Sequence, residues 1–280
     1  MKRYMTRKIR LAVQIFFLLL IVLFSVNHYR AEQGLEPILV GSASLHAVCP
    51  FGGVVSIYTY FSTGVFVKKT HVSSFILMWI VLLLSLGLGA VFCGWVCPFG
   101  TVQELIGKIG RKLFKRRYNQ MVPAQADRYL RYLRYGILAI IIYLTATAGT
   151  LIFAEYDPYF ALFNIWSDEV VWTALAILIL TLAGALLIER PWCKYACPYG
   201  ALLGIFNLFK LVKLSRNPQT CINCHRCDRV CPMNITPSDD GNVRNHQCIV
   251  CLECTSENVC PVDDALLLKI RPEATTEVAS

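Results

Sequence analysis

The sequence predicts an α-helical integral membrane protein with a small cysteine-rich domain at its C-terminal end. Three observations carry that expectation: four apolar stretches near spanning length, basic residues gathered on one side of them, and two dense cysteine runs after residue 214. Of 280 residues, 56% are hydrophobic and 16% charged, an apolar share above that of average soluble domains. The apolar residues concentrate at 11–26, 73–92, 132–153 and 170–188. Each stretch approaches or exceeds the roughly 20 residues a helix needs to cross a bilayer, so four transmembrane helices are expected.

The formal charge of +9 is placed by topology. Lys2, Arg3, Arg7, Lys8 and Arg10 precede the first span, and Lys108, Arg111, Lys112, Lys115, Arg116 and Arg117 follow the second. The 154–169 loop has no Lys or Arg and carries Glu155, Asp157, Asp168 and Glu169. By the positive-inside rule both termini face the cytoplasm, and residues 27–72 and 154–169 face outward. Charge distributed this way is no nucleic-acid footprint, and nucleic acid is not an expected partner.

The N-terminus has the basic and apolar regions of a signal peptide. Asn27, His28, Tyr29 and Arg30 follow it without a small-residue cleavage site, so an uncleaved anchor is expected. Residues 45–67 are uncharged but interrupted by Pro50, Gly52, Gly53 and Gly64. Making them a span would turn the basic loop outward, so they read as a re-entrant or interfacial segment covered by protein.

An internal repeat runs through the membrane region. The second span leads into Cys93-Gly-Trp-Val-Cys97-Pro98-Phe-Gly100 and the fourth into Cys193-Lys-Tyr-Ala-Cys197-Pro198-Tyr-Gly200. Each element is C-x3-C-P-[FY]-G. A segment of helical apolar spacing follows each, marked by Val102, Leu105, Ile106 and Ile109 or by Leu202, Leu203, Phe206 and Leu208, and both are expected at the cytoplasmic interface. Proline suits the first position of a helix, which puts Cys97 and Cys197 at the positive end of a helix dipole, where a thiol pKa should fall. The four cysteines fit redox dithiols, a shared metal or iron–sulfur centre, or a soft-metal site for Cu(I), which favours thiolates.

The C-terminal third carries the densest signal. Cys221, Cys224, Cys227 and Cys231, followed by Pro232, read C-x2-C-x2-C-x3-C-P, the spacing by which bacterial ferredoxins hold [4Fe–4S] clusters. Cys248, Cys251, Cys254 and Cys260, followed by Pro261, repeat it with a last gap of five residues. In two-cluster ferredoxins the fourth ligand comes from the other run. One cluster is therefore assigned to Cys221, Cys224, Cys227 and Cys260, and the other to Cys248, Cys251, Cys254 and Cys231. Zinc sites usually pair two C-x2-C knuckles instead, and disulfides need an oxidising compartment that the topology argues against. Cys221-Ile-Asn-Cys224-His225 matches the c-type haem motif formally, but its cysteines belong to the ferredoxin run. The chain thus divides into a four-span membrane domain at 1–214, an α+β bacterial-type two-cluster ferredoxin domain at 215–272 on the cytoplasmic side, and a disordered tail at 273–280. Of thirteen cysteines, Cys49 is left over. No histidine falls inside a proposed span, which argues against a membrane di-haem. His46, with Asp157 or Glu155, is a candidate proton acceptor near the outer face.

At these motifs the chain resembles the NapH/MauN-type membrane ferredoxins, related to the membrane parts of NosR and CcoG. The resemblance rests on four spans, on Cys93/Cys97 and Cys193/Cys197, and on the two-cluster tail. It implies an inner-membrane electron carrier of quinol-dehydrogenase type, relaying electrons between quinone or quinol and a periplasmic or cytoplasmic redox protein. A copper-reducing or metalloenzyme-assembly factor using the C-x3-C-P cysteines is the alternative.

Overall fold

A long N-terminal helix, α1 (Arg3–Glu32), opens the chain. Its Arg7–Ala31 stretch is the one helix among the described residues that is both long and apolar enough to cross a membrane by itself. The computed structural model describes residues 3–36, 72–148, 153, 156–167, 170–239, 242–243, 245–262 and 264–270. The expected outer segment 45–67 with His46 and Cys49, the outer-loop Glu155, and the tail 273–280 lie outside them.

Helices occupy the other three apolar stretches: α2 (Val72–Leu88), α4 (Ala124–Ala148) and α6 (Trp172–Ala185). At 1.5 Å per residue, α2 and α6 reach only about 25 and about 21 Å, short of the roughly 30 Å hydrocarbon core. Each is followed by a single π-helical turn, Phe92–Val96 or Trp192–Ala196, and then by a second helix. These followers are α3 (Pro98–Phe114) and α7 (Pro198–Phe209). A short helix, α5 (Pro158–Phe163), lies between α4 and α6.

The two repeats interlock. α1 packs on α3 and the first π turn, and α4 packs correspondingly on α7 and the second. α2 and α6 then cross over, α2 lying on α7 and α6 on α3. Small residues permit the close approach. A Cβ on Gly110 would collide with the Leu186 carbonyl and one on Gly107 with the Tyr118 hydroxyl.

Polar and apolar faces are inverted relative to a water-soluble bundle. Gln14, Ser25, Asn27, Ser85, Thr145 and Thr181 are buried, whereas Leu19, Leu83, Ile140 and Leu180 are 59–74% exposed. The expected interfacial stripes follow the same rule in part. Leu105, Ile109 and Leu208 point outward, while Thr101, Gln103 and Asn207 face the interior.

The C-terminal domain is a three-stranded antiparallel sheet, β2 (Asn242–Val243), β1 (Val212–Arg216) and β3 (Leu266–Ile270), in that spatial order. Leu214 faces Val243 on one side and Leu268 on the other. The sheet takes in chain from Val212 onward. Its core joins Leu214, Met233, Ile235, Val243 and Leu266 to Cys227, Cys231, Cys248 and Cys254. One short helix, α8 (Arg226–Val230), follows the first cysteine loop, and a 3-10 turn, Glu253–Thr255, lies within the second.

Candidate iron–sulfur sites

The two cysteine loops of the C-terminal domain share one backbone conformation. Asn223 and His225 have φ of 54° and 52°, and their counterparts Val250 and Leu252 have 49° and 59°. Left-handed backbone is unfavourable for any side chain and most so for a β-branched one such as Val250. Its cost is of order 1–3 kcal/mol per residue, and such strain collects at functional sites. Alternating handedness turns successive amides toward one side, the arrangement that receives anions.

The thiols line two separate cavities. Cys231, Cys248, Cys251 and Cys254 line the first; Cys221, Cys224, Cys227 and Cys260 line the second. The longer gap before Cys260 is taken up by a turn in which the Val259 and Cys260 amides both donate to the Ser256 carbonyl at 2.9 Å. His225 is held by Asp228 at 3.0 Å and Ser238 at 3.1 Å. Among the described residues no three His, Cys, Asp or Glu side chains converge on a point as they would for a single metal ion. Four thiols around a cavity fit a multi-iron core, and the donor set is the one such clusters use.

In the N-terminal helical region the C-x3-C spacing folds as a π turn each time. The Cys97 amide donates to the Phe92 carbonyl at 2.9 Å, and the Cys197 amide donates to that of Trp192 at 2.8 Å. Isolated π turns are rare and concentrate at functional sites. Pro98 and Pro198 start the next helices with Cys97 and Cys197 as N-caps, and the Gly200 amide donates to Cys197 Sγ at 3.2 Å. The repeats converge here. Burial first, and then Cys97 and Cys193, raise the pKa of Cys93, and burial followed by Cys193, Cys93 and Cys97 raises that of Cys197.

One expectation is corrected. The helix dipole does not leave these thiols acidic, because burial outweighs it. Burial first, and Cys193 next, push Cys97 up to about 12 against the pull of the Gly100 amide. A set of buried, protonated thiols is a poor free dithiol catalyst. It becomes anionic when a metal centre replaces the protons.

Two buried side chains that motif reading missed, Gln103 and Arg190, hold the quartet. Gln103 of the first repeat donates to Cys193 Sγ of the second at 3.5 Å and accepts from the Trp192 amide at 3.1 Å. Arg190, fully buried, donates to the Cys93 carbonyl at 2.5 Å and pairs with Glu104 at 2.5 Å. Glu104 also pairs with Arg10 at 2.5 Å, and Arg10 reaches Glu253 of the C-terminal domain at 2.8 Å. Burial raises the Glu104 pKa, but Arg190 and Arg10 prevail and hold it down at about 2. Lys194, the counterpart of Gly94, is buried against Asp127 at 2.8 Å. Tyr195 and Arg131 also donate to Asp127. Arg190 and Lys194 are visible as charges within an apolar tract, the only available signal.

The C-terminal domain docks by its second cysteine loop on this region. Trp95 Nε1 donates to the Val250 carbonyl at 2.9 Å, Arg134 to that of His246 at 3.0 Å, and Asn207 to those of Asn245 at 2.6 Å and Cys248 at 3.0 Å. A Cβ on Gly94 would collide with the Ile249 carbonyl. Cys93 packs against the core that contains Cys248 and Cys254.

A family model described as a 4Fe-4S binding domain matches residues 70–117 and 170–217. These are the two C-x3-C-P repeats, offset by the same 100 residues as their cysteines, and both matches end before Cys221. An uncharacterised protein of Methanocaldococcus jannaschii is 34% identical over 75% of this chain and 82% of its own length. YccM, a candidate electron transport protein of Escherichia coli, is 31% identical over 82% of this chain, which spans 65% of YccM. The ferredoxin-type protein NapH of Haemophilus influenzae is 33% identical over 51% of this chain and 47% of its own length. No solved structure matches the chain. The chain belongs to the family of ferredoxin-type 4Fe-4S proteins that includes NapH and MauN.

Proposed function

We propose that this protein is a membrane-embedded iron–sulfur electron relay between the quinone pool and a redox protein, a component of quinol-dehydrogenase type. The observation that carries this reading is the docking of the Cys248 loop on the C-x3-C turns. Cys93 packs on the core that holds Cys248 and Cys254, and Gly94 lies against Ile249 and Cys251, so two thiol-lined sites are neighbours across one interface. The relatives' names, electron transport and ferredoxin-type, point the same way.

In this reading Cys231, Cys248, Cys251 and Cys254 hold one [4Fe–4S] cluster, and Cys221, Cys224, Cys227 and Cys260 hold a second. Cys93, Cys97, Cys193 and Cys197 hold a third centre. When bound, these centres supply one-electron acceptors; the chain's own groups supply the ligands, the docking surface and the dry surroundings. Outward-facing leucines over buried polar residues suit four helices in lipid, where apolar driving force gives way to small-residue packing and interhelical hydrogen bonds. The basic flanks favour an orientation with both termini and the ferredoxin domain on the cytoplasmic side of a bacterial inner membrane.

The test is anaerobic reconstitution in lipid followed by potentiometric EPR and addition of a reduced quinone. Cluster midpoints near those of membrane quinones, with quinol reducing the clusters, support the relay. Midpoints far below, with no reduction by quinol, overturn it. Stoichiometric copper lost in Cys97→Ser and Cys197→Ser would favour the soft-metal assembly reading.

A further inference from the structure

Beside the cysteine quartet lies a cavity that the relay reading leaves unused. Cys97, Cys193 and Cys197 form part of its lining. Aromatic side chains make up most of the rest, among them Phe99, Phe153, Trp192 and Tyr199. One carboxylate enters it, that of Asp157.

Asp157 is brought there by α5. It is the N-cap of that helix, with one oxygen accepting from the Tyr159 amide at 3.0 Å. α5 packs on α6 and against the upper half of α1, where Ile21 meets Phe163 and Ser25 donates to the Phe163 carbonyl. The short loop expected on the outer side therefore folds inward and carries its carboxylate to the quartet. The Asp157 side chain remains partly exposed, and burial pushes it up to about 7 against the pull of the Tyr159 and Phe160 amides.

An apolar aromatic slot with one hydrogen-bond acceptor, beside a thiol-bound redox site, matches a lipid-soluble aromatic diol. We propose that this cavity binds the head group of a quinol, one hydroxyl donating to the Asp157 carboxylate and the ring lying toward Cys97, Cys193 and Cys197. The inference rests on the relay reading and deepens it. Oxidation breaks the two O–H bonds of the quinol and leaves two carbonyl groups. Both protons pass in turn through Asp157 toward the outer face. Cys93, Cys97, Cys193 and Cys197 would hold the centre that takes up the two electrons one at a time, and the ferredoxin cysteines would hold those that pass them to the redox protein that the relay serves.

The substitution Asp157→Asn removes the proton acceptor and keeps the cap, because Asn and Asp are equivalent N-caps. Two measurements on the whole protein in phosphatidylethanolamine–phosphatidylglycerol vesicles decide the matter. The first is photolabelling with an azidoquinone, mapped by mass spectrometry. Label on peptides containing residues 153–163 and 192–199, displaced by excess unlabelled quinone, is expected. Label elsewhere, or in these peptides but displaced equally by a long-chain alkane, overturns the site.

The second measurement is stopped-flow bleaching of the iron–sulfur absorbance. Asp157→Asn should slow bleaching by quinol about 100-fold, the scale of a lost general base, while bleaching by dithionite is unchanged. An equal rate with quinol in wild type and variant overturns the inference and leaves the relay standing. Displaceable label in the cavity of a wild-type protein that quinol never reduces supports the binding site and sinks the relay.

Discussion

The two C-x3-C-P repeats share a cysteine skeleton and differ in almost everything that surrounds it. Cys93, Cys97, Pro98 and Gly100 recur as Cys193, Cys197, Pro198 and Gly200, with the same π turn and the same proline-started helix. The intervening positions diverge: Ala90 against Arg190, Gly94 against Lys194, Glu104 against Gly204. Each difference has a place in the structure. Gly94 leaves room for the Ile249 backbone, and Gly204 leaves room for Arg134 to reach the His246 carbonyl. Glu104 and Arg190 are partners across the repeats, and Lys194 fills its side with an ion pair to Asp127. The shared residues build the thiol site; the divergent ones fix a single asymmetric domain on it.

Breaking the asymmetric part at its centre should have the largest effect on stability. Glu104→Gln leaves the buried Arg190 without its carboxylate and Arg10 with Glu253 alone, and loss of one partner from such a network costs about 3–5 kcal/mol. A chemical-denaturation series in mild detergent would measure it, and a loss well under 1 kcal/mol would deny the network its role. Acid should act on the same group. The folded-state pKa of Glu104, about 2, lies below its ordinary 4.5. Its contribution is therefore complete above about 4.5 and is lost as the pH falls toward about 2. The wild-type melting temperature should drop through that window more steeply than that of Glu104→Gln.

Making the repeats more alike should have a smaller cost with a larger functional consequence. Gly94→Ala forces a methyl group against the Ile249 carbonyl, an overpacking of about 1–3 kcal/mol that pushes the Cys248 loop off the quartet. Quinol-driven reduction of the ferredoxin clusters should slow, while dithionite still reduces them. Trp95→Phe removes one hydrogen bond to Val250 and should cost about 0.5–1.5 kcal/mol, read as a small shift in the same denaturation series. An unchanged interdomain transfer rate in both variants would show that this docking surface does not carry the electrons.

The same comparison shows what sequence could reveal. Short fixed spacings were readable: both ferredoxin runs, both C-x3-C-P elements and the four apolar stretches each appear as local pattern, and helices occupy all four stretches. The convergence of Cys93 and Cys193 was not, because it depends on α2 and α6 crossing to the opposite repeat. Gln103 looked like an ordinary helix residue, and only the packed structure sets it on Cys193 Sγ. The thiol pKa was misjudged for a physical reason. The N-cap dipole is a local feature, legible from proline after cysteine, whereas burial depends on the whole bundle and outweighs it. Asp157 looked like one of four acids in an outer loop until α5 folded it inward.

The central claim is that the quartet holds a centre of its own in series with the ferredoxin sites. Iron and acid-labile sulfide, counted together with EPR spectra on anaerobic wild type and on Cys97→Ser, test it most directly. The account predicts about 12 irons per chain, four for each of three cubane-type centres, falling to about 8 in the variant with both ferredoxin signals retained. About 8 irons in the wild type, unchanged by Cys97→Ser, would contradict it.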